Sequence, residues 1–247
     1  MAAPWPGRPR GSEKWNGNLA PGDGITPAMW FEEVRRKFRE RRLARLARQA
    51  PAVAYPLGSG PPNRHGMPRV PIGQRVVEKW PVLDLGRQPL ITEQEWRLRL
   101  DGECDNPLLL TWEEFMGLDQ VEESSDFHCV TGWSRLDMPW QGVRLARLAE
   151  LCQVRRQATH LLCHAYDGYQ TNFALGDPDV LLVHSADGQP LSVEHGGPVR
   201  VITPRLYAWK GAKWVCRLEF LSQDRPGYWE RNGYSNSADP WADDRFS

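Results

Sequence analysis

Cys129 lies in the run Asp126-Phe127-His128-Cys129-Val130-Thr131-Gly132-Trp133-Ser134, a short β-type stretch broken by glycine. A thiolate is a soft, strongly donating ligand, suited to soft metals and redox centres. A bare cysteine in an apolar run is more often a small buried hydrophobe, so its meaning depends on its company. One companion is His195-Gly196-Gly197-Pro198-Val199-Arg200-Val201. Two glycines before a strand let a ligand approach the backbone closely, with the His195 ring beside them. Arg200 follows at a spacing that puts a guanidinium fork on a phosphate or pterin edge. Further on, Lys210-Gly211-Ala212-Lys213-Trp214 sets small residues between two lysines, exposing backbone N–H groups to an anion.

A rival constellation is His160, Cys163 and His164, with Cys152 or His184 as a fourth ligand for zinc. On a helix these residues would share a face. Their neighbours favour a strand, where adjacent side chains point to opposite sides and Cys163 and His164 diverge. The twelve tryptophans also stand out, several beside lysine, as in Ala208-Trp209-Lys210 and Lys213-Trp214. An indole with one N–H donor suits the wall of a pocket for a polar heteroaromatic ligand; filling of the core is the competing reading and covers most of them.

The elements that must position these residues follow from patterning. Residues 1–25, rich in Gly, Pro and Asn, read as a disordered tail. Residues 26–50 read as a helix: Thr26 is an N-cap, Pro27 fits the first turn, and Glu32 and Glu33 favour the N-terminal end. Within it, residues 35–48 carry eight Lys/Arg against one Glu, although the whole chain has zero formal charge. Such a helix either docks an acidic partner or a membrane surface, or packs Phe31, Val34 and Phe38 on its own domain. Residues 51–75, with many Pro and Gly, read as a linker or wrapping arm, and 76–247 as one domain.

In that domain Trp96, Leu98 and Leu100 alternate with Arg97, Arg99 and Asp101, the period of a half-buried strand. Thr111-Trp112-Glu113-Glu114 is a capping-box signature, and Val143 to Cys152 has helical spacing. Val180–Val183 and Pro190–Val193 flank Ala186-Asp187-Gly188, a hairpin signal. Trp214, Cys216, Leu218 and Phe220 alternate again. The pattern predicts an α+β, β-rich fold of mixed sheets without internal repeats.

Composition narrows the function classes. Hydrophobic content of 40% supports a packed core, and zero net charge gives no reason to expect nucleic acid. Five scattered cysteines without a CxxC pair suit thiols in a reducing compartment. No run approaches a membrane span, and Met1–Pro6 lacks an apolar signal core. A cytoplasmic protein is expected.

Taken together, the chain resembles the sulfite-oxidase-type molybdopterin oxidoreductases, and most closely their compact sulfite oxidase-like members. The matching segments are Asp126–Ser134, Asp167-Gly168-Tyr169-Gln170-Thr171-Asn172, Glu194–Arg200, Tyr207–Trp214 and Pro226-Gly227-Tyr228-Trp229-Glu230. The resemblance covers roughly residues 70–245 and implies the sulfite oxidase-like molybdopterin-binding fold. It further implies that Cys129 is the protein ligand to molybdenum of a Mo-molybdopterin cofactor. His195 and Arg200 match cofactor-binding positions, and Lys210, Gly211, Ala212 and Lys213 match the loop that holds the pterin phosphate. Tyr169 falls where sulfite-oxidising members keep an active-site tyrosine; a core role is the alternative. The family's Arg-Asn-His sulfite-binding context is missing, and Trp80-Pro81-Val82-Leu83-Asp84-Leu85-Gly86-Arg87 occupies that region.

The expected function is therefore a molybdenum-dependent two-electron oxidoreduction, oxygen-atom transfer on a small S- or N-compound. No segment resembles the family's haem domain, so a separate electron-transfer partner is expected. The alternative is a redox-inactive member serving as a binding or scaffold module through its basic helix.

Overall fold

The computed structural model describes residues 58–246. The expected tail at 1–25, the basic helix at 26–50 and the first part of the 51–75 arm lie outside these residues. The remainder of that arm holds a hairpin, β1 (Gly58–Pro62) with β2 (Pro68–Pro71), and a short β3 (Arg75–Val76). The hairpin carries Arg69, whose guanidinium meets Asp126 and Asp137, so it is fastened beside the segment that leads to Cys129.

Two larger sheets build the domain. One joins β4 (Arg97–Gly102), β5 (Leu108–Thr111), β8 (His160–Ala165), β9 (Gln170–Ala174) and β13 (Val215–Leu221) in the order β5-β4-β13-β8-β9. The other is centred on β7 (Trp133–Arg144), which pairs with β3, with β6 (Val121–Cys129) and with β10 (Leu181–Ala186). β10 in turn pairs with β11 (Gln189–Pro190) and β12 (Arg200–Ile202). The β4–β13 and β3–β7 pairs are parallel and the others antiparallel, the mixed arrangement that the strand pattern predicts.

The alternation in β4 is obeyed by Leu98 and Leu100, which are buried, and by Arg97 and Arg99, which are exposed. Trp96, just before the strand, is fully buried and donates its indole N–H to the Val215 carbonyl at 3.0 Å. Asp101 breaks the rule by being buried. Burial opposes its charge, but the Arg217 and Arg99 guanidiniums outweigh it and hold the carboxyl below the usual carboxylate range.

The capping box forms as expected at the head of α1 (Trp112–Met116): Thr111 accepts from the Glu114 amide, and Glu114 accepts from the Thr111 amide at 2.7 Å. α2 (Leu145–Cys152) starts two residues later than the helical spacing suggests, because Val143 and Arg144 still pair with β10. Asp187 and Gly188 both take positive φ, 53° and 69°, as a two-residue type I′ turn demands. The strand after that turn stops at Pro190, and Val193–His195 forms a 3₁₀ turn instead.

Apolar side chains gather in two cores. The first holds Trp96, Leu98, Leu148, Leu161 and Phe220. The second holds Phe127, Cys129, Trp133, Trp140 and Trp209. Cys129 belongs to the aromatic one.

Candidate functional site

Cys129 is the last residue of β6 and pairs with Trp133, the first of β7. Between them the Gly132 amide donates to the Cys129 carbonyl at 3.0 Å, closing the turn. Gly132 has φ of 93°, in the left-handed region that favours glycine. The thiol is therefore held at the end of a buried strand, and its Sγ lies 3.1 Å from the Thr131 hydroxyl. Burial pushes its pKa up, against the pull of Thr131 and of the Arg245 cation. The free thiol thus stays protonated at neutral pH, and only a bound metal ion would displace that proton.

A hydrogen-bonded chain backs the turn. His128 Nδ1 lies 2.8 Å from Ser134 Oγ, Ser134 donates to Gln74 Oε1 at 3.4 Å, and Gln74 donates to the Cys129 carbonyl at 3.1 Å. Burial drives the His128 pKa down to about 4, so its ring is neutral. Its buried Nε2 has no hydrogen-bond partner, and because the Ser134 hydroxyl gives its proton to Gln74, the ring meets Ser134 as a donor through Nδ1.

The second half of the site rests on the turn before β12. Gly196 takes φ of 104°, and a Cβ there would lie 2.9 Å from Lys213 Cβ. A Cβ on Gly211 would meet the Val201 carbonyl oxygen at 2.5 Å. These two glycines are what bring His195, Arg200 and Lys213 together. Ser192 Oγ is 2.9 Å from His195 Nδ1, and His195 Nε2 donates to the Trp80 carbonyl at 3.1 Å, so the ring carries a hydrogen on Nε2. Burial is the main reason its pKa lies below the ordinary value.

Arg200 is 3% exposed. It donates to the His195 carbonyl at 3.0 Å and the Gly211 carbonyl at 3.3 Å, while its Nε lacks a partner. Its charge faces the rings of Trp80 and Phe127 at 5.3 and 5.2 Å and meets no carboxylate among the described ion pairs. Burial lowers its pKa to about 9. Lys213 donates to the Glu194 carbonyl at 2.7 Å, and burial followed by repulsion from Arg200 lowers it to about 8. Lys213 has the Asp84 carboxylate at 3.8 Å and Arg200 has none among the described ion pairs, so these two desolvated cations could hold an anion. A pterin phosphate fits that demand, and the flat rings around Arg200 fit a heterocycle beside it.

The structure sends two of the expected residues elsewhere. Lys210 is fully buried and pairs with Glu230 at 2.7 Å and with Asn172 Oδ1 at 3.3 Å, with no contact to Lys213 or Arg200 among the described bonds. Tyr169 donates its hydroxyl to the Trp209 carbonyl at 2.5 Å and packs in the first core. Gly211 and Ala212 sit between the two lysines, Ala212 wholly buried with its carbonyl on the Val201 amide at 2.8 Å.

Residues that the sequence reading missed surround the thiol instead. Arg245 reaches the Val130 carbonyl and is fastened to Asp243 at 2.6 Å. Tyr234 is a buried phenol whose pKa is raised first by burial and next by the Cys129 sulfur. Both come from the irregular stretch after α3 (Tyr228–Arg231), which has no period to advertise a role.

The zinc reading fails on strand geometry. Cys163 points into the first core, while His164 on the opposite face bonds Glu219 at 3.0 Å. His184 lies on β10, in the other sheet. Among the described residues no group of three or more His, Cys, Asp or Glu is placed to hold a metal ion.

A profile described as the oxidoreductase molybdopterin binding domain matches residues 85–229. The chain is 43% identical over 183 residues to the uncharacterized oxidoreductase YuiH of Bacillus subtilis (strain 168), covering 72% of this chain and 92% of that one. It is 27% identical over 158 residues to the protein-methionine-sulfoxide reductase catalytic subunit MsrP of Campylobacter jejuni, covering 56% of this chain and 52% of the relative. The chain thus spans about half the length of that reductase. Among solved structures, the sulfane dehydrogenase SoxCD of Paracoccus pantotrophus superposes with a TM-score of 0.54 at 21% identity, over 60% of this chain and 43% of that one. That likeness bears on the fold.

Proposed function

The chain belongs to the sulfite oxidase-type, molybdopterin-binding oxidoreductases, and from that premise we propose that it catalyses oxygen-atom transfer on a small sulfur or nitrogen compound. Sulfoxides are the first class to test, because the MsrP relative is named for sulfoxide reduction. In that direction a sulfoxide takes up two electrons and two protons and leaves as a thioether and water.

The observation that carries the reading is the pairing of one buried thiol in a glycine-closed turn with a buried, uncompensated guanidinium. Cys129 would be the thiolate on molybdenum. Arg200, His195 and the loop around Gly211–Lys213 would hold the pterin and its phosphate. When bound, the cofactor supplies the two-electron redox couple, and the protein orients it and sets its electrostatics. Gln74 and Arg245, on the carbonyls of Cys129 and Val130, fix the direction of the thiol. Tyr234 is a buried phenol in the same aromatic core as Cys129, close enough for the sulfur to raise its pKa.

Electrons must come from outside these residues, so a separate electron-transfer partner belongs to the proposal. The MsrP relative's name, a catalytic subunit, is in keeping with one. We place the chain in the cytoplasm, where buried thiols such as Cys104, Cys152 and Cys163 stay reduced.

Protein made in a cofactor-competent host should contain about one molybdenum per chain by metal analysis, set by its single candidate thiolate. Cys129→Ser should retain most of the pterin, because Arg200 and Lys213 remain, and lose sulfoxide reduction with artificial electron donors by roughly a thousandfold or more. Full activity in that variant would sink the ligation.

A further inference from the structure

Tyr234 begins a row of touching aromatic rings that runs from the Cys129 core to the surface. The phenol is buried in the same core as the thiol, near enough to the Cys129 sulfur for the two to interact electrostatically. Its ring centroid lies 4.7 Å from that of Trp229, and the Trp229 ring lies 5.2 Å from that of Tyr228. The Tyr234 amide donates to the Trp229 carbonyl at 3.0 Å, so a backbone turn holds the first two rings together. Trp209 braces Tyr234 edge-on at 5.2 Å. Trp229 packs against both cores and is half-buried, as is Tyr228. The row starts in the dry interior beside the thiol and ends where another protein can reach it.

The surface at the outer end carries one sign of charge. From Ser222 to Ser237 the exposed charged residues are Arg225 and Arg231. Both carboxylates of that stretch are engaged within the fold. Glu230 pairs with the buried Lys210 at 2.7 Å, and Asp224 accepts from Asn172 at 2.6 Å and from Asn236. Arg225 shares the Glu219 carboxylate with Arg217. Arg231 donates to the Pro226 carbonyl at 2.7 Å and meets no carboxylate among the described ion pairs.

We propose that a reduced one-electron carrier protein with an acidic face docks over Tyr228, Trp229 and Arg231, and that its electrons enter through Trp229 and Tyr234 toward the Cys129 thiolate. The inference rests on the cofactor reading above and deepens it, by locating the surface that the electron-transfer partner uses. Each docking delivers one electron, so each sulfoxide needs two, and its two protons come from water. The rings are not themselves reduced. Electron tunnelling weakens steeply across empty gaps, and a close-packed row of rings leaves few of them between the surface and the thiol. The arginines add attraction at a distance, which speeds encounter with an acidic partner and fades as salt rises.

The test adsorbs the full chain, made in a cofactor-competent host, on two electrodes. One carries a carboxylate-ended monolayer that imitates an acidic partner, and the other an amine-ended monolayer. Voltammetry should show faster reduction of the molybdenum on the carboxylate surface, with the advantage shrinking at high salt. Trp229→Leu should slow that reduction several-fold, while molybdenum content and the Mo(V) EPR signal developed by dithionite stay at the parent level. Arg225→Gln combined with Arg231→Gln should abolish the preference for the carboxylate surface. If both variants exchange electrons at the parent rate with their molybdenum intact, the entry route is refuted and the cofactor reading stands. Should Trp229→Leu shed its metal, the arginine pair decides alone, and a preference equal to the parent's refutes the docking. If the parent protein holds no molybdenum, the cofactor reading falls and the route falls with it.

Discussion

Lys210 and Lys213 stand three residues apart in sequence and have opposite electrostatic fates, and Arg200 sides with Lys213. Lys210 is neutralised inside the fold by Glu230. Removing one partner of a buried pair strands the other, so Lys210→Met should cost about 3–5 kcal/mol in urea unfolding of the cofactor-free chain. Arg200 has no such carboxylate. Arg200→Met removes an uncompensated buried charge together with two hydrogen bonds to carbonyls. Its stability should change by only about 1 kcal/mol or less, while molybdenum and pterin content should collapse. A loss of stability as large as that of Lys210→Met would make Arg200 a structural residue. Sequence could not separate these cations, because a 3₁₀ turn at Ala208–Lys210 followed by Gly211 turns the two lysines toward different partners.

The strands that carry the site were legible wherever one face is buried and the other wet, as in β4, and the capping box of α1 was legible because its bonds are local. Val143 was misread as helical because its burial comes from pairing with Leu182 across β7 and β10, a contact that no local period reports. Tyr234 and Arg245 were illegible for the same reason: turns carry them, and their partners lie far back in the chain. The β7–β10 pairing itself depends on Gly142, where a Cβ would come within 2.0 Å of the Leu182 carbonyl oxygen. Gly142→Ala should therefore destabilise the chain by about 3 kcal/mol, as overpacking against fixed backbone does. Because β10 also pairs with β12, which starts at Arg200, cofactor content should fall with stability. A Tm unchanged from the parent protein would show that the two strands can part without loss.

Five of the six histidines, spread across the described residues, share one behaviour. His65, His128, His164, His184 and His195 all have pKa values below the ordinary value, with burial as the largest cause of each. A depressed folded pKa means that the unfolded chain binds more protons. Stability is thus fully present above the unfolded value, near 6.5, and is lost as pH falls toward the folded values. His128, held near 4, accounts for on the order of 3 kcal/mol of that loss. The urea midpoint should be level between about pH 7 and 8 and fall steadily below about 6.5. His128→Asn should flatten much of the fall. A midpoint that held constant down to pH 4.5 would contradict the burial of these rings.

The turn that carries Cys129 is closed from behind by Arg245, 115 positions later in the chain. During synthesis at about 5–20 residues per second, Val130 therefore waits roughly 6–23 seconds for the side chain that caps its carbonyl. β4 likewise waits for β13 before its parallel partner exists. The thiol, the anion cradle and the clamp on the turn come into being together, and only after the ribosome has passed Arg245. If Cys129 takes the metal as proposed, loading would wait until Arg245 has been made: an emerging polypeptide has the ligand but not yet the place to use it.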